Sequence, residues 1–245
     1  MQTQNPRRIG LIGHGRIGRL VARAISSAMA GHSVLAAVLT RSPTQGATCD
    51  QYQNPAAFFS VPVDLYLECA GPQALATLGA QAMERADVWS VSGVALADES
   101  LRAHLQAIGE RNGHRLRLVA GASGGLDAVQ ALAAGSGIEV EVDIVAPERC
   151  NPFTASAREA ALRLPHGVNL AVAIALAGTG LDRTRVQVRP DPDSSHHVIG
   201  VRARSALGRF ESRLEPVSDP AQGLHMVAAS LVAALQQADR VIWVG

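Results

Sequence analysis

The amino-acid sequence predicts an α/β protein, a doubly wound parallel sheet joined to a second, α+β domain. Three observations predict it. Strand and helix signals alternate at short intervals through the first half. A Gly-x-Gly-x-x-Gly turn follows the first strand. After about residue 123 the pattern changes to strands of alternating polarity with helices between them.

The elements follow in order. Arg8-Ile9-Gly10-Leu11-Ile12 reads as a strand, and Ile17, Leu20, Val21, Ala24, Ile25 and Ala28 recur at helical spacing, with Gly31 closing that helix. Val34 to Leu39 is a second buried strand, and Val63 to Cys69 a third. A helix from Gln73 to Arg85 leads to a strand from Val88 to Ser92. Asp98 is placed to cap a helix with Leu101, Leu105 and Ile108 on one face, ending near Gly113, and Leu116 to Val119 is the next strand. Such alternation implies parallel pairing through right-handed crossovers.

In the second half, IEVEVDIV (Ile138 to Val145) alternates as a half-buried antiparallel strand does. Helices are predicted over Thr154–Leu164 and Val168–Ala177, and strands over Arg185–Arg189, His197–Ala203 and Arg209–Leu214. A last helix, about Gln222–Gln237, is apolar through Leu224, Val227, Leu231 and Leu235. The expected organisation is a first domain over residues 1–122 and an α+β domain over 123–219. The C-terminal helix, within about 220–245, packs back on the first domain.

Composition narrows the chemistry. The 245 residues carry a net charge of +1, which gives no electrostatic reason to expect nucleic acid or an anionic membrane as partner. The N-terminal MQTQNPRR is polar, and the apolar stretches are broken well before the ~20 residues of a membrane span, so a cytoplasmic location is expected. Three scattered cysteines suit neither a disulfide framework nor a zinc site, and no metal is expected. All 22 basic residues are arginine. Without lysine there is no Schiff-base or P-loop lysine, and acid–base work falls to His, a shifted carboxylate, Cys or water.

Gly13-His14-Gly15-Arg16-Ile17-Gly18 follows a strand and opens an amphipathic helix, the setting in which this motif marks a dinucleotide site of Rossmann type. Gly13, Gly15, Arg16, Ile17 and Gly18 are the expected cofactor contacts, because glycines allow close backbone approach and a helix N-terminus offers N–H groups to a pyrophosphate. At the end of the second strand, where an acidic residue favours NAD, the chain reads Leu39-Thr40-Arg41-Ser42. Arg41 suits a 2′-phosphate, so the cofactor is NADP or NAD, with a lean to NADP; an exposed loop arginine is the plain alternative. Small-residue turns end further strands at 68–72, 90–93 and 120–125, placing Ala70 and Ser92 against the cofactor. Cys69 has no neighbouring base and reads as a small apolar residue near the nicotinamide.

GLIGHGRIG, LECAGP, SVSGVAL, AGASGGLDA, SAREAALRLPHGVNLAVAIALAGTGLDRTRV and DPDSS together resemble the L-aspartate dehydrogenase family, nearly end to end. The run from Ser156 to Val186 is the most specific. The resemblance implies an NAD- or NADP-dependent interconversion of L-aspartate and iminosuccinate, which hydrolyses to oxaloacetate and ammonia. It further implies a homodimer, a small-molecule substrate (an amino acid or its imino or keto acid), and cofactor contacts at Ala122 and Asn169. Departures are specific too. Pro165-His166-Gly167 stands where the family has Pro-Lys-Asn, and Asp219-Pro220-Ala221-Gln222-Gly223 stands for Asn-Pro-Lys-Thr-Ser. The stretch from the Ile138 strand to Thr154 is short by a loop. The family's acid–base histidine falls at Ile199.

Strand alternation puts His197, Ile199, Val201 and Ala203 on one face, and His196, Val198, Gly200, Arg202 and Arg204 on the other, solvated one. His197 is therefore the inward catalytic candidate, about 6.5–7 Å along the strand from position 199. The plain alternative is a pair of ordinary strand-end histidines. His166, His196 and Ser123 are candidate substrate contacts. The competing functional reading is a catalytically altered NAD(P)-binding paralogue with another small substrate or a regulatory role.

Overall fold

The computed structural model describes residues 5–43, 49–119, 124–146, 151–191, 197–215 and 225–242. The chain divides into two compact units, Met1–Gly121 with Pro220–Gly245, and Ala122–Asp219.

The first unit contains β1 (Arg7–Ile12), α1 (Arg16–Ser26), β2 (Ser33–Leu39), β3 (Gln51–Tyr52), α2 (Pro55–Phe59), β4 (Leu65–Glu68), α3 (Pro72–Met83) and β5 (Asp87–Ser90). A 3-10 turn (Gly93–Ala97), α4 (Glu99–Asn112), β6 (Leu116–Leu118) and the last helix of the chain (Met226–Ala238) complete it. The strands form one parallel sheet in the order β3-β2-β1-β4-β5-β6. The order reverses between β1 and β4, which opens a crevice at their carboxyl ends.

Alternation along the strands builds a three-layer core. Ile9, Leu11, Val38, Leu65 and Leu67 face α1 and the last helix, while Ile12, Leu39, Tyr66 and Val88 face α2, α3 and α4. Leu231 and Leu235 of the last helix are fully buried, each worth about 1.5–3 kcal/mol. Asp239 fastens the end of that helix, accepting from the His32 amide at 2.5 Å and pairing with Arg7 at 3.0 Å. Gly10 is required in β1 because a Cβ there would lie 2.7 Å from the Tyr66 ring.

Local chemistry sets the ends. Asp98 Oδ1 accepts from the amides of Ser100 and Leu101 at the start of α4, and Gly113 closes it with φ 73°. α1 ends at Ser26, short of the predicted stop at Gly31. The amides of Ala28 and Met29 turn back to Ile25 O and Ala24 O, with Ala28 at φ 57°, a Schellman closure built on alanine rather than glycine. β3 and α2, each too short to show a period, were not anticipated.

The second unit contains α5 (Leu126–Ala133), β7 (Glu139–Ala146), β8 (Phe153–Ser156), α6 (Ala157–Arg163), α7 (Asn169–Ala177), β9 (Arg185–Pro190), β10 (Val198–Ser205) and β11 (Gly208–Leu214). Its sheet runs β11-β10-β7-β9-β8 and is mixed: β7 pairs antiparallel with β10, as its alternation predicted, but parallel with β9. The helix predicted from Thr154 begins instead at Ala157. Ser156 and Glu159 form a reciprocal capping box, which leaves Phe153–Ser156 free to pair with β9. α7 is buried through Leu170–Ala175. On the exposed face of the sheet, Arg202 pairs with Glu141 at 3.0 Å and Asp143 at 2.8 Å, and Arg204 with Glu139 at 2.6 Å. Among the described residues, no helix is long and apolar enough to cross a membrane.

Candidate active site

In the first unit the glycine turn sits at the carboxyl end of β1, in the crevice where the strand order reverses. Gly13 has φ 99°, and a Cβ on it would lie 2.7 Å from Ala70 Cβ. A Cβ on Gly18 would lie 2.0 Å from Gly13 O, so α1 rests directly against the turn. Gly15, the residue before α1, has nothing within 4 Å of its Cβ position. No side chain caps that helix start and no acidic residue occupies its first turn. Arg16 is exposed there, 3.2 Å from His225 Nε2, and Ile17 packs against the core. Burial and Arg19 hold the His14 imidazole below its ordinary value, so it is neutral near pH 7. Thr40, Arg41 and Ser42 follow β2. Arg41 is exposed, and its carbonyl accepts from Gln53 Nε2 at 2.9 Å.

The turn after β4 forms the neighbouring wall. Ala70 is exposed, whereas Ser92 is buried, its amide donating to Ser90 Oγ at 3.0 Å and its hydroxyl directed to Glu68. Burial and the Glu68 charge push the Cys69 thiol far above its ordinary value, so it is no thiolate nucleophile.

In the second unit, two parts of the sequence meet at one end of the sheet: the turn between α6 and α7 and the start of β10. His197 is half-buried immediately before β10, and its Nε2, shielded from solvent, lies 3.3 Å from where a Cβ of Gly167 would stand. Gly167 lies in the turn between α6 and α7, two residues ahead of the half-buried Asn169, and His166 is exposed in the same turn. Ile199 is only 8% exposed. Ile199, Val201 and Ala203 are buried and Arg202 and Arg204 exposed, the alternation the sequence predicted. Val198 is buried as well, although it belongs to the other face. Ala122, Ser123 and His196 lie outside the described residues. Among the described residues no group of three or more His, Cys, Asp or Glu side chains is arranged to hold a metal.

The chain matches known proteins over nearly its whole length. Residues 13–119 match the family described as "Homoserine dehydrogenase, NAD binding domain", and residues 127–238 match "Aspartate dehydrogenase, C-terminal". The L-aspartate dehydrogenase of Methanopyrus kandleri is 31% identical, over 97% of this chain and 98% of its own length. That of Ruegeria pomeroyi is 32% identical, over 94% and 92%. The chain belongs to the L-aspartate dehydrogenase family. The crystal structure of aspartate dehydrogenase from Thermotoga maritima has the same fold, with a TM-score of 0.79 at 22% identity, over 98% of this chain and 99% of that one. This aspartate dehydrogenase family member is an NAD(P)-dependent oxidoreductase acting on an amine donor, a small molecule.

The residues present fit a dinucleotide. Open space over Gly15, an uncapped helix start and the absence of first-turn acids leave backbone N–H groups for a pyrophosphate. Two residues escaped the reading of the sequence. Glu68 ends an apolar strand, LYLE, and only its burial shows that the carboxylate turns inward. Gly167 looked like a departure of its own, with no sign in the chain of the imidazole beside it.

Proposed function

We propose that this chain is an L-aspartate dehydrogenase that prefers NADP to NAD and takes its acid–base group from His197. The observation that carries the assignment is the His197 imidazole against the Gly167 turn. Ile199, at the position of the family histidine, has no group that could accept or donate a proton. The family's asparagine at 167 is here a glycine, and the space beside it is taken by the imidazole of His197, two residues ahead of Ile199 and just before β10. His197 and Gly167 thus read as paired changes that restore a titratable group near Asn169.

In this reading the amides of the Gly13–Gly18 turn hold the pyrophosphate, with Arg16 and Ile17 flanking it, and Arg41 meets a 2′-phosphate. Ala70 belongs to the nicotinamide side, and Ser92 acts from beneath; the family resemblance adds Ala122 and Asn169 as cofactor contacts. When bound, the nicotinamide supplies the hydride acceptor. His197 takes a proton from the substrate amine as the Cα–H bond breaks with its electron pair and the C=N bond of iminosuccinate forms. His197 passes that proton to solvent, deprotonates the water that adds to this imine and returns the proton to the imine nitrogen, so that collapse of the carbinolamine releases ammonia and oxaloacetate. His166, His196 and Ser123 offer hydrogen bonds to the substrate carboxylates. The family resemblance further supports a homodimer, and the composition supports a cytoplasmic location.

Steady-state rates with L-aspartate, D-aspartate, L-glutamate and L-alanine test this reading. L-Aspartate is expected to be the preferred substrate. His197→Ala is expected to lower kcat by about 10²–10⁴ while NADP binding is retained. An unchanged rate removes His197 from the mechanism, and cofactor binding with no turnover on any substrate favours the altered paralogue.

A further inference from the structure

The carboxylate of Glu68 is the one charged group among the buried side chains of the described residues, 1% exposed at the carboxyl end of β4. Its bonds are spent on two turns. Oε1 accepts from the amides of Ala70 at 2.7 Å and Gly71 at 2.8 Å. Oε2 accepts from Ser90 Oγ at 2.6 Å, and that hydroxyl in turn accepts from the Ser92 amide at 3.0 Å. Main-chain bonds tie the same strand end to its neighbours, from Cys69 N to Ile12 O at 2.9 Å and from Val91 N to Glu68 O at 3.3 Å. Gly71 sits at φ 105°, a conformation open to glycine, and its amide is held by the Glu68 carboxylate.

Burial alone raises the Glu68 pKa, and the donors from Ser90, Ser92, Ala70 and Gly71 pull it back. Such a carboxylate is costly to bury, and every bond it makes shapes the rim of the crevice. The strand order decides which part of the rim. In a doubly wound sheet a dinucleotide lies across the reversal point, one mononucleotide half on each side. Thr40–Ser42 follow β2 and face the adenosine half, which leaves β4 and β5 under the nicotinamide half.

We propose that Glu68 is a positioning residue for the nicotinamide half of the cofactor. It joins the turn after β4 to the turn after β5 into one wall, which abuts the glycine turn at Ala70. It acts through the backbone of Ala70 and Gly71 and touches neither substrate nor cofactor. The assignment rests on the cofactor site proposed above.

Calorimetric titration of the full chain with two probes tests it: NADP, and the adenosine bisphosphate fragment that lacks the nicotinamide half. Glu68→Ala is expected to weaken NADP binding about tenfold or more, while the fragment binds within about twofold of wild type. Glu68→Gln is expected to stay within about threefold for both probes. Its amide oxygen accepts from Ala70 and Gly71, and its NH₂ donates to Ser90 Oγ. Ser90→Ala, which keeps the carboxylate and serves if Glu68→Ala does not fold, is expected to weaken NADP about threefold and spare the fragment. Equal loss for both probes overturns the assignment, as do an unchanged NADP affinity or a Gln variant as weak as Ala. Wild-type protein that binds neither probe overturns the cofactor site itself.

Discussion

Alanine at Gly15 and at Gly18 separates two roles that glycine plays in one turn. At Gly18 the added Cβ would stand 2.0 Å from Gly13 O and 3.0 Å from Gly13 C, both backbone atoms. Contact at ordinary distance requires α1 to back away by roughly an ångström or more, an overpacking cost of about 1–3 kcal/mol. For a chain of this size that is a fall in Tm of about 2–12 °C. At Gly15 the Cβ meets nothing within 4 Å. The stiffer unfolded chain there stabilises by about 0.4–1 kcal/mol, and alanine's poorer capping offsets it, so Tm is expected to hold within about 3 °C. The methyl group nevertheless occupies the space a pyrophosphate needs, and NADP affinity is expected to fall at least about tenfold. Scanning calorimetry of the apoprotein and titration with NADP read the two effects separately. Gly18→Ala melting with wild type, or Gly15→Ala binding NADP as wild type does, would refute the reasoning.

Arg41→Ser is expected to lower NADP affinity by about tenfold, the worth of one charge-assisted contact, with little change for NAD; equal effects on both would remove Arg41 from the site. In Gly167→Ala the new methyl meets Leu164 Cδ2 at 2.6 Å and His197 Nε2 at 3.3 Å. Displacing the imidazole is expected to depress kcat and leave NADP binding unchanged, as steady-state kinetics with titration will read. Glu68 gives a pH dependence of known sign. Burial raises its folded pKa above the ordinary 4.5, so between those values the native state binds more protons than the unfolded state. Its contribution is present below the unfolded value and is lost as pH rises through the folded one. Urea melts across that window should show wild type losing stability relative to Glu68→Gln as pH rises; a gain would contradict this.

Much of the first unit was legible because its signals are local. Asp98 and Gly113 bracket α4 with caps that need no tertiary context, and the glycine turn announced itself by following a strand. The misplaced ends have local causes as well. α1 stops where Ser26 and Ser27 give way to a Schellman closure on Ala28, and α6 starts at the Ser156–Glu159 box rather than at Thr154. β7 pairs parallel with β9 on one edge, a partner that alternation along a single strand does not identify. The site divides the same way. Its glycines could be read from spacing, but Glu68 depends on which way a strand end turns. The Gly167–His197 approach depends on how β10 meets the turn before α7. Ser92, expected against the cofactor, is buried and bonded toward Glu68, a placement that depends on the packing of two strand ends.

The most direct test follows one atom. L-Aspartate carrying deuterium at Cα is incubated with the protein and NADP, and the nicotinamide ring is examined by mass spectrometry. A hydride transfer from the amine-bearing carbon predicts one deuteron on the ring for each iminosuccinate, or its hydrolysis product oxaloacetate, formed. Product formed with no deuterium in the ring, or no reduced nicotinamide at all, would contradict the account.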